Sequence, residues 1–288
     1  MADGTTAGSI GGRWRIERLS GGPLGAEVTG VRLSPDMDEA EIAEIRRLWL
    51  AHGVLFFRDQ GHLGPAEFLG FAKRFGEVVE YPFVKGLEGF PEITPVVKLE
   101  NDRRNFGGVW HSDTTYLELP PMATMLIARE LPPAGGDTMF ADMYAAYEAL
   151  SPGLRQTLEG LKGVSSSRKA DASATREDRV RDSGTGKAEV LEAEHPVVRT
   201  HPETGRKALF VNVGHTARFV GWTEEESKPL LEYLFRHLTQ PEFTCRFRWR
   251  PGSIAFWDNR CTQHYPLNDY HGYRRVMHRV TLGGDRPR

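Results

Sequence analysis

Residues 243–282, FTCRFRWRPGSIAFWDNRCTQHYPLNDYHGYRRVMHRVTL, decide the architecture of this chain. Phe243, Cys245, Phe247 and Trp249 alternate with Thr244, Arg246 and Arg248. That period of two is the mark of a strand with one apolar and one polar face. Pro251-Gly252 breaks the run, IAFWD at 254–258 resumes it as a buried strand, and RRVMHRVTL at 274–282 adds another. Strands this close together, joined by turns, point to antiparallel β structure of the sandwich or jelly-roll kind.

Upstream, VLFF at 54–57, EITPVV at 92–97, TMLIA at 124–128 and KALFVN at 207–212 read as further strands. Helices are fewer. Residues 38–52 place Ile42, Ile45, Leu48 and Trp49 on one face, with Gly53 as a stop. Pro65 opens a second helix through Phe75, residues 142–162 are helical with a break near Ser151-Pro152, and Thr223 with Glu226 forms a capping box before a helix to about Leu238. The expectation is a mainly β fold with flanking helices, one domain over 13–288. The small, Gly-rich residues 1–12 read as a flexible tail. Residues 163–194 are polar and aperiodic, so a long loop is expected there, either a surface insertion or an active-site lid.

A net charge of −2 and a pI near 6.6 leave no basic field for nucleic acid. No apolar run reaches the roughly 18 residues of a membrane span, and the N-terminus has no apolar signal core. Cys245 and Cys261 lie in no CxxC pair and are expected to be free thiols in a cytoplasmic protein. The expected partner is a small-molecule substrate, and the expected assembly a homo-oligomer, dimer or tetramer.

The chemistry concentrates in two places. In WHSDTTY at 110–116, an extended backbone projects His111 and Asp113 to the same side. In WDNRCTQHY at 257–265, His264 follows a strand and a turn. Two histidines and a carboxylate can form the facial triad that suits iron(II) and leaves coordination positions open. The HxD pattern alone is more often a loop with a satisfied histidine, and the same ligands could hold the zinc of a hydrolase. On a strand, Arg275 and Arg279 share one face about 13 Å apart at roughly 3.3 Å per residue. Such a pair reads either as two anion sites or as a solvated outer face.

HSD at 111–113, GGDT at 135–138, WDNRCTQH at 257–264 and RRVMHR at 274–279 follow one another as in the TauD/TfdA family of iron(II)- and 2-oxoglutarate-dependent dioxygenases, which the chain resembles over nearly its whole length. The resemblance implies a double-stranded β-helix, the cupin-like jelly roll. It implies His111, Asp113 and His264 as iron ligands, and Thr138 and Arg275 as the pair binding 2-oxoglutarate. Arg279 is implied as the residue for the substrate anion. Tyr81, Val84, Gly107, Thr114 and His215 match the other substrate-facing positions. The implied reaction consumes O2 and 2-oxoglutarate, releases succinate and CO2, and hydroxylates a small anionic substrate. Family members acting on taurine carry polar groups where this chain has Tyr81, Val84 and Gly107, so a less polar sulfonate or carboxylate is expected. The alternatives are cleavage of an alkyl sulfate or aryloxyalkanoate, or a jelly roll that binds without catalysis.

Overall fold

Asp38 starts the first long element because its carboxylate accepts the Glu41 N–H while the Glu41 side chain accepts the Asp38 N–H. The helix ends at Gly53, whose φ of 66° lies in the left-handed region that costs glycine nothing. Local signals of this kind punctuate a structure, a computed structural model, that describes residues 14–81, 84–169 and 190–288.

In chain order the elements are β1 (Arg15–Arg18), β2 (Ala26–Thr29), α1 (Glu39–His52), β3 (Val54–Phe57), α2 (Pro65–Lys73), β4 (Val78–Val79), β5 (Thr94–Lys98) and β6 (Ala123–Glu130). Then come β7 (Thr138–Asp142), α3 (Met143–Glu148), α4 (Pro152–Glu159), β8 (Lys162–Ser166), β9 (Glu192–Pro196), β10 (Val198–Thr200), β11 (Lys207–Leu209) and β12 (Thr216–Phe219). The rest are α5 (Glu224–Leu238), β13 (Thr244–Phe247), β14 (Ile254–Asp258), β15 (Thr262–Pro266) and β16 (Arg275–Leu282).

Two sheets face each other. The major sheet runs β1-β2-β3-β14-β6-β16-β4, with β5 also paired to β16; the minor sheet runs β13-β7-β15. Between them lies an apolar layer joining Phe56, Leu126, Trp257 and Met277 of the major sheet to Phe140, Cys245 and Phe247 of the minor one. Phe56 and Phe247 stack across it with ring centroids 4.0 Å apart. The outer face of the major sheet is covered by α1 and α2 through Ile42, Ile45, Trp49, Phe68 and Phe71. The minor sheet's outer face, with Ala141, meets α3, α4 and α5. This is the double-stranded β-helix.

Two expectations need correction. Residues 162–166 and 192–196 are strands, paired antiparallel with each other, and β8 also pairs with β12. The loop expected over 163–194 is therefore shorter at both ends; its centre, residues 170–189, lies outside the described residues, as does the tail at 1–12. KGVSS and EAEHP carry few apolar groups, and backbone pairing makes strands of them without that signal. Phe243 does not share the inner face of Cys245, Phe247 and Trp249. It sits in a short 3-10 turn, Pro241–Phe243, and packs with the helical layer. Cys245 and Cys261 are both free and buried, as expected. Among the described residues no helix is long and apolar enough to cross a membrane.

Candidate active site

β15 enters the minor sheet with His264 opposite Phe140 of β7, so His264 faces the space between the sheets while Gln263 points outward to Val211 and Met143. The WHSDTTY segment then docks on β15. His111 N–H donates to the His264 carbonyl (3.1 Å) and His264 N–H donates to the His111 carbonyl (2.8 Å). Two reciprocal backbone bonds make the histidines direct antiparallel partners, and partners project side by side. Their ring centroids are 4.2 Å apart. Asp113, two residues on, brings Oδ1 to 3.8 Å from His111 Nε2 and 4.0 Å from His264 Nε2. The three ligand atoms all lie within 4.8 Å of one another, and the residues are buried.

Each donor is prepared by its neighbours. His111 Nδ1 donates to the Val109 carbonyl at 2.7 Å, which leaves Nε2 as the free lone pair. Thr124 Oγ1 donates to Asp113 Oδ2 at 2.7 Å, turning Oδ1 toward the imidazoles. Asn259 holds this pair in place, giving Nδ2 to Thr124 Oγ1 and accepting the Asp113 backbone N–H and Trp257 Nε1 on its own oxygen. Burial alone would raise the Asp113 pKa, but the Arg279 guanidinium, together with the neighbouring imidazoles and the Thr124 hydroxyl, outweighs it and holds the carboxyl ionised, well below its usual range. Burial lowers the His111 pKa against the pull of Asp113, and burial beside the His111 ring brings His264 down to about 3. The cluster at neutral pH is two neutral imidazoles and one carboxylate. That donor set fits a divalent first-row cation with open positions.

A cavity runs from these histidines to Arg275. Arg275 is 5% exposed; its Nε and Nη2 have no hydrogen-bond partner among the described residues. Those two nitrogens form the side-on fork of a guanidinium, the edge that grips a carboxylate with two parallel bonds. Thr138, at the head of β7, lines the same cavity. Its Oγ1 accepts Trp249 Nε1 at 3.0 Å, so the hydroxyl proton remains free to donate. A buried cationic fork beside a free hydroxyl, opening onto the metal-ligand cluster, fits 2-oxoglutarate.

A second cavity lies against His111 and Asp113. Tyr81, Gly107, Thr114, His215 and Arg279 line it; Val84 is half-buried and is not among the described residues on this wall. Arg279 lies over the Tyr81 ring (4.4 Å to its centroid), with the Phe106 ring 5.9 Å away and edge-on to Tyr81. His215 stands edge-on to Tyr116 and His111, with its Nδ1 3.1 Å from Thr115 Oγ1. Gly107 takes a φ of 69°. Phe106, Val109, Tyr116 and Trp249 also face these cavities and were not read from the sequence. Tyr116 ends the WHSDTTY motif and was there to be found; Phe106 sits in an irregular loop with no local signal. Phe106, His111 and Arg279 line both cavities.

Fold and site together define a 2-oxoglutarate-dependent dioxygenase. The profile described as "Taurine catabolism dioxygenase TauD, TfdA family" matches residues 15–281, and the chain belongs to that family. It is 40% identical to the alpha-ketoglutarate-dependent sulfate ester dioxygenase of Pseudomonas putida, over 92% of this chain and 88% of that one. It is 37% identical to an alkylsulfatase of Acinetobacter baylyi, over 94% and 85% of the two chains. Among solved structures, a taurine dioxygenase from Burkholderia xenovorans superposes with a TM-score of 0.80 at 38% identity, covering 96% of this chain and 92% of that one.

Proposed function

We propose that the protein oxidises a small alkyl sulfate at the carbon bearing the ester oxygen, with iron(II) held by His111, Asp113 and His264. In this reading Arg275 and Thr138 bind the distal carboxylate of 2-oxoglutarate, and Arg279 binds the sulfate head. One observation carries it: two buried guanidiniums on the same face of β16 each have an Nε/Nη2 edge with no hydrogen-bond partner among the described residues, Arg275 in the first cavity and Arg279 at the wall shared with the second. One fork suits the cosubstrate and leaves the other for a second anion. The sulfate ester is favoured over other anions by the two relatives that are 40% and 37% identical.

The iron, with 2-oxoglutarate and O2, supplies the insertion of one oxygen atom into a C–H bond, releasing succinate and CO2. The chain's residues bind, orient and exclude water. Arg275 and Thr138 fix the cosubstrate from its far end. Thr124 and Asn259 keep Asp113 turned toward the histidines. Tyr81, Phe106 and Tyr116 give the substrate cavity an aromatic wall against an alkyl chain. Hydroxylation next to the ester oxygen gives an unstable product. The hydroxyl loses its proton, the C–O bond to sulfate breaks, and an aldehyde and hydrogen sulfate separate. The sum is R–CH2–OSO3⁻ + 2-oxoglutarate + O2 → R–CHO + HSO4⁻ + succinate + CO2.

A second reading is an aryloxypropionate. A relative named as an (S)-phenoxypropionate dioxygenase is 33% identical, and the aromatic walls would accept a ring. One assay tests both: kcat/KM for butyl sulfate, butanesulfonate, taurine and an aryloxypropionate, from succinate formation, with sulfate and aldehyde as products. The expected order puts butyl sulfate first and taurine well behind. A clear preference for taurine, or a neutral substrate turned over equally well by Arg279→Ala, would overturn the assignment.

A further inference from the structure

The guanidinium assigned above to the substrate also touches the carboxylate of the metal cluster. Arg279 Nη1 lies 3.4 Å from Asp113 Oδ1, the same oxygen that faces both histidine Nε2 atoms. Its opposite edge, Nε and Nη2, is buried and has no hydrogen-bond partner among the described residues. Arg279 has little freedom to withdraw. It is 5% exposed, lies over the Tyr81 ring and is anchored on β16 opposite Leu126 of β6. One fixed positive charge therefore stands between two sites. On one side it shares a carboxylate oxygen with the metal-ligand cluster; on the other it opens into the substrate cavity.

We propose that Arg279 couples the two sites, so that the metal and the substrate anion each raise the other's affinity. The inference rests on the assignment of the metal and anion sites given above. A divalent cation placed on Asp113 Oδ1 meets the guanidinium across a water-poor gap, where charges are weakly screened. With the fork empty, that cation is opposed by a full positive charge. An anion on the fork cancels most of it and relieves the opposition without moving Asp113. Linkage requires the reverse effect to be equal: a filled metal site strengthens anion binding by the same factor. The arrangement keeps metal binding weaker in the absence of substrate and tightens it when the substrate anion arrives.

Two observables separate this from a plain anion-binding role. The first is the affinity of the full-length, metal-free protein for Mn(II), read from loss of the free-ion paramagnetic resonance signal, with and without butyl sulfate. Butyl sulfate should tighten Mn(II) binding about tenfold, within the usual range of coupling between sites. The second is the effect of substitution. Arg279→Gln should bind Mn(II) about tenfold more tightly than the wild type and lose the dependence on butyl sulfate; Arg279→Lys, which keeps the charge, should stay near the wild type. Arg275→Ala should retain the dependence, which excludes action of the sulfate in the cosubstrate cavity.

Equal Mn(II) affinity in wild type and Arg279→Gln, with no effect of butyl sulfate on the wild type, would overturn the coupling. If His264→Ala still abolishes Mn(II) binding in that case, the metal-site assignment survives alone. Failure of the wild type to bind one Mn(II) would sink both. Should Arg279→Gln not fold, the response of the wild type to butyl sulfate decides.

Discussion

A methyl group on Gly107 would stand 2.8 Å from His111 Cε1 and 3.1 Å from its Nε2. The φ of 69° there adds a backbone penalty for any residue with a Cβ, about 1 kcal/mol or more. His111 is tied through Nδ1 to Val109 and by its backbone to His264, so it cannot turn away freely. Gly107→Ala should therefore weaken Mn(II) binding by about tenfold or more while the protein still folds; an unchanged dissociation constant would refute this. His264→Ala removes one of the three groups proposed to hold the metal and should abolish both Mn(II) binding and succinate formation. Arg275→Ala leaves a buried carboxylate without its charged partner, a loss of about 2–5 kcal/mol. The 2-oxoglutarate concentration for half-maximal rate should rise about 30-fold to several thousand-fold. If instead that requirement holds and the anionic substrate stops binding, the two arginines have exchanged roles.

Elements were legible where their signals are local. α1 spans Glu39–His52 because Asp38, Glu41 and Gly53 mark its ends in the sequence itself, and its buried residues Ile42, Ile45, Leu48 and Trp49 are those the helical period selects. β3, β14 and β16 were equally plain. β7 and β15, which carry Thr138 and His264, were not recognised as strands. Both lie between the inner apolar layer and the outer helices, so apolar and polar positions do not alternate along them. The site residues were legible as types in a family order; what the chain order cannot express is the backbone pairing that sets His111 against His264. At this scale the test is the seam between α1 and the major sheet. Trp49 is fully buried and stacks on Phe256 at 4.6 Å, so Trp49→Ala should cost about 3–5 kcal/mol in urea unfolding. The Mn(II) affinity of the folded fraction should not change, because the seam lies on the outer face of the sheet.

For the whole molecule, acid is the sharper threat. Burial, with the charge of Arg129 beside it, lowers the His278 pKa from the ordinary 6.5 to about 4, and burial lowers that of His195. The unfolded chain therefore binds more protons than the folded one between about pH 6.5 and 4, and stability is lost as the pH falls through that window. The melting temperature should drop steadily from pH 7 to pH 5, and His278→Gln should make the slope shallower; an identical slope would remove His278 from the account.

The fixed seat of Arg279 at the wall of the substrate cavity has a last consequence, for regiochemistry. A substrate gripped by its anionic head at Arg279 is measured from that head, like a rod pushed against a stop. The oxidised carbon is then set by its distance from the sulfate and not by the length of the tail. Lengthening an alkyl sulfate from four carbons to eight should change KM through contact with the aromatic wall, yet every homologue should yield the aldehyde of its own full carbon count.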